Sequence, residues 1–208
     1  MIRFPDFHIY PVITEKFCRN GSSIETLKEL IAAGVKIVQL REKDKSKQDI
    51  LNLAAIFRTL TSKASVTLII NDHIDIALEV GADGVHLGQD DNPGSTARRQ
   101  APGLIIGVST HNLEEARKAE RDGATYINIG PIFATQTKTV GIHPLGVDMI
   151  KTISENISIP FTVMGGIKEN NIKQLVAAGA SRIAMVTEIT QARDIGKKFS
   201  ELRQLFRL

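Results

Sequence analysis

Short apolar, β-branched runs alternate with longer amphipathic stretches from one end of the chain to the other. The runs predict strands over His8–Ile13, Lys36–Leu40, Thr67–Ile70, Gly84–Leu87, Ile105–Val108, Tyr126–Ile129, Phe161–Met164 and Arg182–Val186. Their interiors (IVQL, LII, IIGV, IAMV) are apolar without a sustained two-residue alternation, as parallel strands buried on both faces require. Periodicity alone does not separate such runs from buried helix. Between them, Ser22 stands three residues before Glu25 and Ser46 three before Asp49, the arrangement of a capping box. Leu27, Leu30 and Ile31 then recur at helical spacing, as do Ile50, Leu53, Ala54 and Phe57. Gly34, Gly81, Gly123 and Gly179 each follow such a stretch, where glycine ends a helix and releases the chain into the next strand. The repeated junction, with no linker, low-complexity tract or composition break, predicts one domain over residues 1–208. Eight βα units fit a closed (β/α)8 TIM barrel better than an open sheet.

Composition narrows the classes of function. Hydrophobic residues at 42% and charged residues at 24% allow a substantial core and exclude disorder. The net charge of +3, with 5% aromatics and no Trp, gives no basic stripe with stacking platforms, so no nucleic acid partner is expected. Cys18, the only cysteine, permits neither an intrachain disulfide nor a cysteine-rich metal site, and is read as a loop thiol in a reducing compartment. The opening residues MIRFPDFHIYPVI lack the apolar core of a signal peptide. No run reaches the ~18–20 residues that span a bilayer, so a cytoplasmic protein without a membrane partner is expected. A homo-oligomer is compatible with the sequence.

In such a barrel the chemistry sits where the strands end at their C-terminal side. Polar residues that would be odd in a core gather there: Gln39, Arg41 and Lys43; Asn71 and Asp72; Gln89, Asp90 and Asp91; Ser109 and His111; Thr135, Thr137 and Lys138; Gly165 and Gly166; Val186 and Thr187. Asp72 and Asp91, after adjacent strands, suit Mg2+, which takes one or two carboxylates with phosphate oxygens and water; Asp90 is the weaker candidate. Strand alternation would put Arg41 and Lys43 on one side, able to hold phosphate oxygens, and Glu42 on the other as a structural partner. Gly165-Gly166 before a helix starting near residues 168–170 is a design for cradling phosphate. The loop holding Thr135, Thr137 and Lys138 is either a decorated turn or a lid. His86 is expected to pack inside its strand, His8 and His143 to lie on the surface, and Lys197–Leu208 to form a final covering helix.

Taken together, Val38-Gln39-Leu40-Arg41-Glu42-Lys43, Ile70-Asn71-Asp72, Val85-His86-Leu87-Gly88-Gln89-Asp90-Asp91, Gly107-Val108-Ser109, the stretch Gly130–Lys138 and Gly165-Gly166-Ile167 resemble the thiamine phosphate synthase family. The resemblance runs from Tyr10 to Ile189. It implies a (β/α)8 fold, Mg2+ dependence, and a transferase that joins an aminopyrimidine methyl diphosphate to a thiazole phosphate. It further implies that Gln39, Arg41, Lys43, Asn71, Ser109 and Lys138 contact the pyrimidine diphosphate, with Arg41, Lys43 and Lys138 the catalytic cations. Asp72 and Asp91 would hold Mg2+, and Thr135, Thr137, Gly166, Val186 and Thr187 would bind the thiazole phosphate. The chain departs from the family pattern at His73, at Met164, and at Thr187-Glu188 in place of a serine–alanine pair, where Glu188 brings a negative charge near the expected phosphate. Three rivals stand beside this reading: a thiazole tautomerase of the same barrel group with His111 as acid/base, a non-catalytic paralogue, and an unrelated phosphate-binding isomerase barrel. The joint presence of Arg41, Lys43, Asp72, Asp91 and Lys138 favours the synthase.

Overall fold

In a computed structural model of the chain, which describes residue 2 and residues 4–89, 91, 94–135 and 143–206, eight parallel strands close into a barrel in the order of the sequence. The first half runs β1 (Ile9–Ile13), α1 (Ser23–Ala32), β2 (Ile37–Leu40), α2 (Lys47–Ala64), β3 (Thr67–Asn71), α3 (Ile74–Glu79), β4 (Gly84–Leu87) and α4 (Gly94–Gln100). The second runs β5 (Ile105–Thr110), α5 (Leu113–Arg121), β6 (Tyr126–Ile129), α6 (Asp148–Ser154), β7 (Phe161–Val163), α7 (Ile172–Ala177), β8 (Ile183–Met185), α8 (Thr187–Thr190) and α9 (Ile195–Gln204). The seam closes by pairing Tyr10 with Ala184 and Pro11 with Met185.

The local signals act as the chain chemistry predicts. Ser22 and Ser46 accept hydrogen bonds from the backbone N–H groups of Glu25 and Asp49, satisfying donors that the first helical turn leaves open. Gly34, Gly81, Gly123 and Gly179 all adopt positive φ just past a helix. Three strand ends near the mouth shift from those expected. β5 extends two residues past Val108, because Ser109 and Thr110 pair with Asn128 and Ile129 on β6. β7 and β8 stop short, leaving Met164 and Val186 at the barrel mouth beside a cavity.

Burial separates into two layers, as a barrel demands. Leu27, Leu30, Leu53, Phe57, Ile150, Ile153, Leu175 and Phe199 pack between helices and the outer face of the strands. Inside the barrel lie Tyr10, Val12, Ile37, Ile69, Ile105, Tyr126 and Ala184. Phe4 and Phe7 plug the interior from the N-terminal ends of the strands, with the Phe4 ring stacked on Tyr126 at 4.1 Å. The barrel floor is thus closed by packed aromatic rings, and the polar strand ends lie at the other end. Cys18 is buried; its thiol donates to the Thr14 carbonyl at 3.4 Å, and burial pushes its pKa up, which suppresses the thiolate. Among the described residues, no helix is long and apolar enough to cross a membrane.

Candidate active site

β2, β3 and β4 deliver the charged half of the mouth. β2 ends at Leu40, so Arg41 to Lys43 are not strand and the alternation expected there does not apply. Both cations nevertheless interact with Asp72. Lys43 forms an ion pair with it, and Asp72 is the largest of the charges opposing the downward shift that burial imposes on the Arg41 guanidinium. Glu42 turns inward instead, buried, and accepts the Glu15 backbone N–H at 2.7 Å. Asp72 sits just past β3 with φ of 64°, a left-handed conformation that aspartate and asparagine adopt more readily than other side chains. Its own N–H donates to the His86 carbonyl at 2.8 Å, which fixes the turn.

Asp91 reaches across from the loop after β4. Its carboxylate accepts the Gly88 N–H at 2.6 Å and lies within hydrogen-bonding range of the Asp72 carboxyl. Burial, and then the neighbouring Asp91, hold the Asp72 carboxyl above the usual carboxylate range against the opposite pull of Lys43. Next to this pair, the side-chain amide nitrogen of Asn71 is buried with no partner among the described residues. A native fold rarely leaves such a donor unmet unless something else binds it. Two crowded carboxylates and an orphaned donor suit a hydrated divalent cation carrying a polyanion. Among the described residues, no group of three or more His, Cys, Asp or Glu side chains forms a metal cage. Two carboxylates beside an amide fit a hard cation completed by phosphate oxygens and water.

Beneath the mouth, a chain of hydrogen bonds crosses the barrel interior. The Gln39 amide nitrogen donates to the Tyr10 hydroxyl at 3.0 Å, and the Tyr10 and Tyr126 hydroxyls stand 3.2 Å apart. His86 Nδ1 lies 2.9 Å from the Tyr126 hydroxyl, and its Nε2 lies 2.9 Å from the Ser109 Oγ. Burial pushes the pKa of both phenols upward, so both stay protonated. His86 therefore does more than pack inside its strand: it is buried between two hydroxyls with both ring nitrogens engaged.

The opposite side, after β7 and β8, is built for a different group. A cavity of about 560 Å³ opens there, lined among others by Thr135, Gly166, Lys168, Val186 and Thr187. Gly165 and Gly166 have φ of 101° and 62°. A Cβ on Gly166 would stand 2.3 Å from the Ala134 carbonyl oxygen, so only glycine lets this backbone run so close to the neighbouring loop. Asn171 braces the loop, accepting from the Lys168 N–H and donating to the Gly166 carbonyl. The helix expected from residues 168–170 begins as a single 3-10 turn at Glu169–Asn171, before α7. The Lys168 ammonium lies 3.4 Å from the Thr187 hydroxyl and 3.3 Å from Glu188. Lys198, at 3.6 Å, holds Glu188 from its other side. The negative charge that the sequence brings to this loop is thus matched by two lysines.

The structure therefore brings Gln39, Arg41, Lys43, Asn71, Asp72, Asp91 and Ser109 to one side of the mouth, and Thr135, Gly166, Val186 and Thr187 to the other. Thr137, Lys138 and Asp90 lie outside the described residues. Tyr10, Tyr126, His86 and Lys168 were not singled out by the sequence. From the sequence His86 is expected to pack inside its strand, Tyr10 and Tyr126 lie in expected strands with no role assigned, and Lys168 marks only an expected helix start. His111 is held at Nδ1 by Glu115 at 2.8 Å, an arrangement that does not separate synthase from tautomerase.

Comparison with known proteins agrees with this geometry. A family model described as thiamine monophosphate synthase matches residues 9–189. The chain is 47% identical over 191 residues to a thiamine-phosphate synthase of Halalkalibacterium halodurans, covering 91% of this chain and 90% of that one. It is 43% identical over 205 residues to a thiamine-phosphate synthase of Caldicellulosiruptor bescii, covering 98% and 94% respectively. A solved structure of a thiamine phosphate pyrophosphorylase from Pyrococcus furiosus superimposes with a TM-score of 0.88 at 31% identity, covering 96% of this chain and 95% of that chain.

Proposed function

The chain belongs to the thiamine monophosphate synthase family, and from that premise we propose that it joins an aminopyrimidine methyl diphosphate to a thiazole phosphate, releasing pyrophosphate. The observation that carries this reading is the division of one mouth into two anion sites of different kind. Crowded carboxylates with cations serve a diphosphate through a metal, and a glycine-lined cavity with hydroxyls and a lysine serves a monophosphate.

The reaction breaks the bond between the exocyclic methylene carbon and the diphosphate oxygen, and the electron pair leaves with pyrophosphate. The electron-rich aminopyrimidine stabilises the resulting cation, and the thiazole nitrogen supplies the pair for the new carbon–nitrogen bond. No protein nucleophile is needed. Arg41, Lys43 and Lys138 would hold the departing polyanion, and Gln39, Asn71 and Ser109 would orient the pyrimidine. Thr135, Thr137, Gly166, Val186 and Thr187 would seat the thiazole phosphate. Mg2+, held by Asp72 and Asp91, would supply positive charge to the diphosphate oxygens. Both substrates are small, soluble anions, which fits a cytoplasmic enzyme.

Purified protein given both substrates and Mg2+ is expected to form thiamine phosphate and pyrophosphate in equal amounts. A chelator is expected to stop the reaction, and added Mg2+ to restore it. Folded protein that yields neither product would overturn the proposal.

Lys168 adds a test specific to one half of the site. Its side chain is about half exposed, so the gain from its charge is screened. Lys168→Ala is expected to raise KM for the thiazole phosphate about tenfold, the order of one charge-assisted contact. KM for the pyrimidine diphosphate should stay unchanged. Equal rises in both constants would remove Lys168 from the phosphate site.

A further inference from the structure

With the Gln39 amide nitrogen turned to Tyr10, the buried chain from Gln39 to Ser109 has one fully satisfied order of hydrogens. The Gln39 amide nitrogen has hydrogens to give and cannot accept. Tyr10 therefore accepts from Gln39 and must send its own hydrogen elsewhere. Among the described residues its other hydrogen-bond partner is the Tyr126 hydroxyl. Tyr126, having accepted, donates to His86 Nδ1. His86 then carries its hydrogen on Nε2 and gives it to the Ser109 oxygen. The Ser109 hydrogen is left over, at the end of the chain that faces the mouth.

Reversing the order would leave the Tyr10 hydrogen buried without an acceptor. An orphaned buried donor disfavours that arrangement roughly 10–100-fold in population. The low polarity around two fully buried phenols sharpens the preference.

We propose that His86, Tyr126 and Tyr10 are positioning residues that fix Ser109 as a hydrogen-bond donor toward the substrate and tie its polarity to that of Gln39. None of the three needs to touch a ligand. Through them, side chains on β2 and β5 present a matched pattern, so the site selects a ring that offers an acceptor at Ser109. An aminopyrimidine has both acceptor ring nitrogens and a donor amino group. The ordered chain thus selects between its two possible edges, which a lone serine with a free rotor would not do. This assignment rests on the pyrimidine-binding role proposed above for Gln39 and Ser109.

The first test needs neither substrate nor variant activity. In protein labelled with 15N-histidine, two-bond proton–nitrogen correlation reports which ring nitrogen of His86 carries hydrogen, with the signal assigned by its loss in His86→Gln. Neutral imidazole protonated on Nε2 is expected. Hydrogen on Nδ1, or on both nitrogens, would overturn the ordering. The second test is Tyr126→Phe, which keeps the ring stacked on Phe4 and removes only the central hydroxyl. It is expected to shift His86 toward a mixture of tautomers. KM for the pyrimidine diphosphate should rise about tenfold, with KM for the thiazole phosphate held. Loss of thermal stability without either change would assign the chain a purely structural role and overturn the proposal. If Tyr126→Phe does not fold, the wild-type tautomer still decides the ordering. The two readings also fail separately: an inactive protein with hydrogen on Nε2 refutes the reaction, and an active one with hydrogen on Nδ1 refutes the chain.

Discussion

Asp72→Asn is expected to make the metal-free protein more stable near pH 7 while lowering kcat/KM by about 10²–10³, the usual cost of removing one preorganised contact to developing charge. The two effects have one cause. In the fold, burial and Asp91 raise the Asp72 carboxyl pKa, and the Lys43 ion pair offsets only part of this. A carboxyl whose folded pKa lies above its unfolded value favours folding less once it is ionised. Its contribution is neutral below the unfolded pKa of about 3.9, declines as pH rises toward the folded value, and stays unfavourable above it. Asparagine has the shape of the protonated acid and tolerates the left-handed backbone at this position, so it removes that penalty without a new strain. The gain in melting temperature should therefore be present at neutral pH and shrink toward pH 4. Added Mg2+ should stabilise the wild type and leave the variant almost unmoved, since only a ligand that binds the folded state shifts the equilibrium. Thermal melts across pH, with and without Mg2+, read all of this. A variant that is less stable at pH 7 yet fully active would sink the assignment.

That conflict between stability and use explains which parts of the site the sequence could reveal. Asn71 ends β3, Asp72 follows it and Asp91 lies in the short loop after β4, so their positions at the ends of apolar runs betray them. Arg41 and Lys43 both interact with Asp72, Lys43 as an ion pair and Arg41 through the field, although strand alternation does not apply there because the strand has already ended. Barrel closure was readable from eight apolar runs separated by capped helices, because each signal is local. The interior chain was not. Tyr10 and Gln39 lie on neighbouring strands, but Tyr10 and Tyr126 are 116 residues apart and meet only once the barrel has closed. A tyrosine inside an apolar strand has no one-dimensional mark that separates packing from hydrogen bonding. The same limit applies to Lys168, whose partners Thr187 and Glu188 open α8 in the next βα unit.

Gly107→Ala should be among the most damaging single methyl additions to this chain, through packing and not backbone conformation. A Cβ at Gly107 would stand 2.2 Å from Tyr126 Cζ, 2.4 Å from its hydroxyl oxygen and 2.5 Å from His86 Nδ1. The ring cannot retreat: it is fully buried, stacked at 4.1 Å under Phe4 and set edge-on to Tyr10. Overpacking of this kind costs about 1–3 kcal/mol, or roughly 2–12 °C at ~2–4 °C per kcal/mol for a chain of this size. The clash falls on the middle of the hydrogen-bonded chain, so activity should fall at temperatures where the variant is still folded, by tenfold or more in kcat/KM for the pyrimidine diphosphate. Gly103→Ala is the matched control: nothing stands within 4 Å of its Cβ, and its melting temperature should hold or rise slightly. The double variant Gly107→Ala/Tyr126→Val makes room for the methyl group. It should recover part of the lost stability and none of the lost activity, a coupling that separates space-filling from hydrogen bonding. Recovery of turnover along with stability would mean that the tyrosine serves only to fill the barrel.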